Sequence, residues 1–194
     1  FNNAALIVSD QNTFPGIDVA RFGESINIIA DRATFEGTSV IEQIDGACTM
    51  FERYYSVETI EGARRATHYS IPYEAFREAV ANAVAHRTWD VNAKIRIAMH
   101  PNRIEISSPG GLPAGLGRDE YLRGFISQLR NPILANVLFR LNIIEMFGTG
   151  IVRIRSSYAE YEQKPEFDVS ENAVRVTLPV TDVRPALTSD EELV

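Results

Sequence analysis

Cysteine is nearly absent from this sequence of 194 residues. Cys48 is the one cysteine, so the sequence excludes an internal disulfide framework and a cysteine-rich zinc site. Disulfides are common in oxidising compartments, and a lone cysteine is therefore more typical of a reducing one. We expect a cytoplasmic protein.

Long apolar runs are missing as well. No stretch approaches the roughly 18 uninterrupted apolar residues of a membrane-spanning helix, and no signal peptide is visible. We therefore expect no membrane partner. The sequence begins at Phe1, without a methionine and in the middle of a pattern, so we expect it to be a piece of a longer protein.

Lysine is scarce, and the charge balance is acidic. Lys94 and Lys164 are the only lysines among 19 basic residues, the other 17 being arginine, and the formal net charge is −7. Such a charge does not suit a protein whose whole surface binds nucleic acid. Single arginines can still bind phosphate through the guanidinium fork. For Arg87 and Arg130 we expect anionic or carboxylate partners.

Several common catalytic motifs are absent too. The phosphate-binding string G-x-x-x-x-G-K-[ST] of helicase motors does not occur, which excludes a motor function for this chain. The serine elbow G-x-S-x-G is also missing, which disfavours acyl transfer by a serine. His68, His86 and His100 are widely spaced, which disfavours a zinc site.

The chain divides into two predicted units and a tail. Residues 1–66 are predicted to form an N-terminal α/β lobe, residues 67–181 a larger domain, and residues 182–194 a disordered tail. In the lobe, composition and turn residues predict strands at 4–10, 17–22 and 26–35, a helix at 40–55, and a hairpin at 56–72.

The larger domain alternates helices with hairpins. Apolar and polar residues alternate through residues 93–110, which predicts a hairpin with one buried face. Helices on one side of a mainly antiparallel mixed sheet give a two-layer α/β sandwich of the α+β class. The other predicted elements are a helix at 73–88, a glycine-rich loop at 109–117, a helix at 130–142 with Asn131 as N-cap and Pro132 first, a helix at 148–163, and a hairpin at 166–180.

A polar stripe runs along the predicted helix at 73–88. Glu78, Asn82 and His86 are four residues apart, so they lie on one face. The stripe is either a solvated surface or one wall of a ligand site. The apolar residues Phe76, Val80 and Val84 fall on the opposite side, which we expect to be buried, with Glu78 and Asn82 facing a cleft.

Two glycine segments could complete a ligand site. The first, Pro109-Gly110-Gly111, follows a predicted strand, and such a loop can offer backbone N–H groups to an anion. The second, Gly148-Thr149-Gly150, precedes a predicted helix, whose N-terminus favours phosphate. The alternative is that the first is an ordinary turn and the second a helix cap.

The order of these motifs resembles that of the Bergerat-type ATP-binding fold of gyrase, histidine kinases and MutL. Glu78-Ala-Val-Ala-Asn82 matches its Glu-x-x-x-Asn motif, and Gly148-Thr149-Gly150 matches its Gly-Thr-Gly motif. The resemblance implies that Asn82 holds Mg²⁺ on ATP and that Glu78 is the general base. The aspartate that reads adenine in that family is absent, since the comparable segment begins with Ser108.

A second resemblance covers nearly the whole chain. The segments "NNAALIV", "REAVANAVAHRTW", "RIEISSPGGLP", "RNPILANVL" and "IIEMFGTGI" are similar to bacterial transcriptional regulators of the Schlafen/AlbA type, often labelled RecG-like ATP-dependent DNA helicases. That family usually has Asp-Tyr where this chain has Thr88-Trp89. The resemblance implies DNA binding only through modules outside this chain, and we also expect a homo-oligomer.

Three functional hypotheses follow from these resemblances. The first is a regulatory module whose nucleotide-binding cleft hydrolyses slowly or not at all, with His86, Arg87 and both glycine segments as further ligand-binding candidates. The second is a true ATPase with Glu78 as general base. The third is a scaffold for dimerisation that binds no nucleotide. The Glu78/Asn82 pair argues against the third, and the missing aspartate argues against the second.

Overall fold

A six-stranded sheet covered by helices forms the body of the protein. The structure is a computed structural model that describes residues 2–124, 128–146 and 148–181. The helices are α1 (Asn3–Ile7), α2 (Val40–Tyr55), α3 (Tyr73–His86), α4 (Arg118–Arg123), α5 (Pro132–Arg140) and α6 (Gly150–Ser156). The strands are β1 (Ile17–Phe22), β2 (Ile29–Phe35), β3 (Ser56–Glu61), β4 (Arg64–Tyr69), β5 (Ile95–His100), β6 (Arg103–Pro109), β7 (Glu166–Val169) and β8 (Ala173–Pro179).

The sheet is mixed but mainly antiparallel. Its strand order is β2-β1-β5-β6-β8-β7, and only the β1–β5 pair is parallel. Side chains alternate along β5, where Ile95, Ile97 and Met99 are buried and Arg96 is exposed. Helix α2 packs on β1 and β2, and α3 packs on β6 and β8. The predicted α+β sandwich is confirmed.

Helix α3 lies at the centre of the core. Phe76, Val80 and Val84 are each 0% exposed, as the apolar stripe predicts. The ring of Phe76 stacks on that of Phe51 from α2 with centroids 4.3 Å apart, which joins the two helices. The core therefore holds α3 from two sides and fixes the direction of its polar stripe.

The predicted boundary at residue 66 runs through this architecture. Strands β1 and β2 belong to the same six-stranded sheet as β5 to β8, and the buried side chains from both sides of the boundary form one hydrophobic cluster. The hairpin β3–β4 forms a separate two-stranded sheet. Strands on both sides of residue 66 thus share one sheet and one core.

Two predicted elements need correction, and one helix was missed. Residues 4–10 do not form a strand, because α1 occupies Asn3–Ile7 and the side chain of Asn2 accepts a hydrogen bond from the amide of Ala5. The helix predicted to reach residue 163 ends at Ser156. Helix α4 was not predicted at all. The predicted disordered tail at 182–194 lies outside the described residues.

The described ranges contain no candidate for a membrane-spanning helix. None of their helices combines the length and the apolar character that crossing a bilayer requires.

Candidate functional site

A cavity of about 90 Å³ lies against the polar stripe of α3. One buried water needs about 10–15 Å³ of cavity volume, so the cavity has room for roughly six to nine waters. Most of its wall is apolar, with polar groups at a few points. Its wall includes Ala79, Asn82, Ala83 and His86 of α3, Ile106 and Ser108 of β6, residues 110–113, Leu116, Tyr121, Gly124, Gln128, Gly148, Gly150, Ile151, Val174 and Val176.

Asn82 contributes a hydrogen-bond acceptor to this wall. Its Nδ2 donates to Oε1 of Glu78 at 3.1 Å, as the i,i+4 spacing on the helix allows. A carboxylate accepts hydrogen bonds but donates none, so it orients the amide with Nδ2 toward Glu78. The Oδ1 atom of Asn82 is then the end of the amide available to a ligand.

Glu78 lies behind Asn82 rather than on the cavity wall. Its side chain is buried, with 4% of the residue exposed. A Cβ atom built on Gly150 would lie 2.4 Å from Nδ2 of Asn82 and 2.8 Å from Oε1 of Glu78, so only a glycine lets the start of α6 approach this pair. The interpretation of the stripe as a solvated surface is therefore wrong at Glu78.

Burial raises the pKa of Glu78 above its ordinary value of 4.5, although the hydrogen bond from Asn82 acts in the opposite direction. Folding therefore favours the protonated form, and this carboxyl lowers stability as pH rises above the unfolded-state value. We expect Glu78→Gln, which has no charge to bury, to melt at a higher temperature than the native protein at pH 7–8. The difference should shrink toward pH 4. A melting series from pH 4 to pH 8 measures it, and a constant difference would contradict it.

The first glycine segment is held by packing and by hydrogen bonds. Gly110 has a φ of +98°. Its amide donates to the carbonyl of Asn172 at 2.8 Å, so this N–H is engaged within the protein and is not free for an anion, contrary to the prediction. The carbonyl of Gly111 accepts from Nη2 of Arg130 at 2.7 Å. Pro109 is not on the cavity wall, and its carbonyl accepts from the amide of Thr88. The ordinary-turn alternative therefore applies to Gly110.

Gly110→Ala is expected to destabilise the fold by about 2–3 kcal/mol, because a Cβ there would combine a positive φ with overpacking. That Cβ would lie 2.0 Å from Oγ1 of Thr88. Gly115 is the matched control, since its φ is +85° and a Cβ would meet nothing within 4 Å. Gly115→Ala should cost only about 1 kcal/mol. Urea unfolding of both variants measures the difference, and equal losses would refute the packing argument.

The second glycine segment also reaches the cavity. Gly148 and Gly150 are on the wall, whereas Thr149 is not. Gly148 has a φ of +68°, which favours glycine. The Oγ1 atom of Thr149 is buried and has no hydrogen-bond partner among the described residues. The structure thus brings both glycine segments to one cavity with Asn82.

Of the remaining candidates, His86 lies on the wall and Arg87 does not. Burial lowers the pKa of His86, and the nearby charge of Arg130 adds to the effect, so the imidazole is neutral at pH 7. Arg87 is 0% exposed and donates to the carbonyls of Pro15, Val91 and Ala93. Within the described residues, neither Arg87 nor Arg130 has the carboxylate partner that we expected. Both donate to backbone carbonyls instead.

Part of the wall comes from a segment without any recognised motif. Leu116, Tyr121 and Gln128 also lie on the cavity wall. Burial raises the pKa of Tyr121 to about 12, so its hydroxyl stays protonated at neutral pH. Helix α4 had one sequence signal that could have revealed it, because the side chain of Glu120 accepts from the amide of Gly117 as in a capping box.

In the described part of the chain, clustered His, Cys, Asp and Glu side chains do not provide the shell of a metal ion. The described residues contain no group of three or more His, Cys, Asp or Glu side chains that could hold a metal ion. Mg²⁺ commonly binds through one or two protein oxygens, with waters and substrate phosphates completing its shell. The available Oδ1 of Asn82 fits that pattern. A metal site made of protein ligands alone would need more than this one oxygen.

Comparison with known proteins supports part of the sequence resemblance. Residues 92–178 match the family described as "Putative ATP-dependent DNA helicase recG C-terminal". This match covers somewhat less than half of the chain and starts after Asn82, but it contains both glycine segments. No curated protein matches the sequence.

The fold has been seen before. The chain is similar to the crystal structure of the DIP2311 protein from Corynebacterium diphtheriae, with a TM-score of 0.79 and 23% sequence identity. The match covers 96% of this chain and 38% of that one. At this identity, the similarity establishes a shared fold. Residues 92–178 are thus similar to that RecG-like family, and the fold is shared over nearly the whole chain.

Proposed function

We propose that this chain is a regulatory module that binds a nucleotide with Mg²⁺ in the cavity beside α3 and hydrolyses it slowly or not at all. The observation that carries the proposal is the meeting of Asn82, Gly148 and Gly150 at one mostly apolar cavity. An apolar pocket with a few convergent polar groups suits a ligand with a flat apolar part and a polar end, but about 90 Å³ is below the roughly 300–1,000 Å³ of such sites. The proposal therefore requires the wall to move apart when a whole nucleotide binds.

The proposed role of Asn82 is to hold the metal ion. Mg²⁺ binds amide and carboxylate oxygens, and the hydrogen bond to Glu78 leaves Oδ1 of Asn82 available. The nucleotide phosphates would supply further oxygens. A bound Mg²⁺ would neutralise phosphate charge, which matters because the described cavity wall contains no lysine or arginine.

The proposed lack of fast hydrolysis follows from the position of Glu78. A general base must reach the attacking water, directly or through one other water. Glu78 is instead buried behind Asn82 and covered by Gly150. We assign Glu78 the task of orienting Asn82, which argues against the ATPase hypothesis.

Recognition of the base is proposed to be weak. Oγ of Ser108 donates to the carbonyl of Ala83 at 2.9 Å, so its proton is engaged within the protein. Ser108 then offers only an acceptor to the cavity, in the place where the Bergerat-type family has its adenine-reading aspartate. An acceptor can still meet an amino group, but one neutral contact gives little discrimination among bases.

A thermal-shift panel tests the proposal. ATP, ADP, GTP and CTP are each titrated with and without Mg²⁺, and sodium triphosphate is the control for the phosphates alone. We expect Mg²⁺-dependent stabilisation by several nucleotides, reaching about 2.7 kcal/mol at a hundredfold excess over Kd. No shift with any nucleotide would instead favour the scaffold hypothesis. Phosphate release at about 1 s⁻¹ or faster would favour the ATPase hypothesis.

The proposed regulation acts on DNA through other modules, so this chain should bind duplex DNA poorly. Its net charge is −7, and affinity for DNA comes largely from basic residues that neutralise phosphates. We expect a Kd on the order of 10⁻⁴ M or weaker at physiological salt. An anisotropy titration with labelled duplex measures it. Sub-micromolar binding to one sequence would mean that this chain reads DNA itself.

A further inference from the structure

A second concavity lies on the other side of the α3 C-terminus. It is a groove of about 620 Å³ between α1, the segment at residues 88–90, and the start of α5 at residues 130–134. Its volume is within the range of about 300–1,000 Å³ that is typical of small-molecule sites. The cavity described above shares no wall residue with it, so the two are separate.

Arg130 gives this groove a positive charge that no carboxylate neutralises. Among the described residues, no acidic group lies within 4.0 Å of its guanidinium, and its Nη2 bonds to the carbonyl of Gly111 instead. Its Nε is buried without a hydrogen-bond partner. Nε has no exposed surface, so it is the remaining part of this half-buried guanidinium that can meet an anionic ligand.

The start of α5 adds further donors. Asn131 precedes the helix, but its Nδ2 donates to the carbonyls of Ala85 and Arg87 at 2.9 and 2.8 Å. Asn131 therefore stands at the predicted N-cap position, but its side chain does not cap the helix, and α5 has no side-chain cap. Its first turn keeps the partial positive charge of an uncapped helix N-terminus. Trp89 is also on the groove wall, but its Nε1 is buried and has no partner in the described part of the chain, so a groove ligand meets the ring rather than the N–H.

Apolar side chains complete the wall. Ile7 and Leu134 are 3% and 1% exposed, and Ile133 is 55% exposed. The Trp89 ring is held by the Arg87 guanidinium 4.3 Å from its centroid and by the edge contact with Phe14. The acidic residue on the wall is Asp90, which is exposed and so strongly solvated.

We infer that this groove binds a small organic anion, in which one carboxylate or phosphate group is carried on an apolar body. Arg130 and the start of α5 hold the anionic group, and Trp89 and the exposed Ile133 contact the apolar body. Charge-assisted hydrogen bonds to arginine and to helix N-terminal amides are the usual way proteins hold such groups. The site shares no wall residue with the nucleotide cavity, although Arg130 bonds to the carbonyl of Gly111 on the wall of that cavity.

Trp89 makes the test specific, because it is the one tryptophan in the sequence. Its indole N–H gives a single resonance in a ¹⁵N–¹H spectrum, and that resonance reports on the groove. Benzoate and phenyl phosphate are titrated at constant ionic strength, with benzamide as the neutral match for benzoate. We expect both anions to shift the indole resonance with saturation, and benzamide to act at least tenfold more weakly. The stronger of the two anions identifies the preferred group.

Three variants complete the experiment. Arg130→Gln should weaken anion binding about tenfold or more, whereas Arg140→Gln, an exposed arginine at the far end of α5, should not change it. Ile133→Glu places a negative charge on an exposed wall residue, which should abolish binding without disturbing the core. Asn82→Ala should leave the indole response intact even if the nucleotide proposal fails. Equal shifts with benzamide and benzoate, no saturable shift, or full binding by Arg130→Gln would overturn the inference.

Discussion

Asn82→Ala is expected to abolish the stabilisation of this protein by Mg-nucleotides, with an affinity loss of about a hundredfold or more. The variant removes Oδ1, the side-chain oxygen that we assign to the metal ion, and leaves the apolar wall in place. Loss of a metal ligand together with the phosphate contacts it organises amounts to about 3 kcal/mol or more. Isothermal titration with Mg-ATP measures the change.

The same substitution has a separate effect on stability. It removes the hydrogen bond to the buried Glu78, which costs about 1–3 kcal/mol. Affinity must therefore be measured well below the melting temperature of the variant. Asn27→Ala, at an exposed asparagine in the β1–β2 turn, is the control and should change neither quantity. Native affinity in Asn82→Ala would remove Asn82 from the site.

Arg87→Ala is expected to lower the free energy of unfolding by about 3–5 kcal/mol, the range for removing one partner of a buried charged interaction. The guanidinium is 0% exposed and bonds to three backbone carbonyls, those of Pro15, Val91 and Ala93. Burial lowers the pKa of Arg87 only to about 10, so it remains charged at neutral pH. Those carbonyls would lose their donors, and Trp89 would lose the cation stacked on its ring.

Urea unfolding at pH 7 measures this loss. Arg96→Ala is the matched control, because Arg96 is exposed on the outer face of β5 and should change stability by about 0.5 kcal/mol or less. Arg87→Lys keeps the charge but cannot reach three carbonyls with one ammonium group, so an intermediate loss is expected. Native stability in Arg87→Ala would show that the carbonyl network contributes little.

The elements with a clear period were predictable from the sequence. Helix α2 and the hairpins β3–β4, β5–β6 and β7–β8 follow from apolar spacing and turn residues, because each depends mainly on local pattern. The strand predicted at 4–10 was wrong, since a short apolar run does not separate a strand from a helix turn. What decided it was the cap from Asn2, which is a single hydrogen bond.

The candidate site was predictable only as a set of motifs. Spacing showed that Glu78 and Asn82 share a face, and they do form a hydrogen bond. It could not show that Gly150 covers Glu78, because that contact joins residues far apart in sequence. The burial of Arg87 was missed for a similar reason. Its three carbonyl partners come from loops whose paths the sequence does not give.

The most direct test of the nucleotide site is an NMR experiment with Mn²⁺-ATP, because Mn²⁺ accepts the same oxygen ligands as Mg²⁺ and broadens nearby resonances. We expect the side-chain amide of Asn82 to broaden first, together with the backbone amides of Gly148 and Gly150, and excess Mg²⁺-ATP to reverse the effect. Broadening that spares Asn82 and both glycines would contradict the assignment of the cavity beside α3 as the nucleotide site.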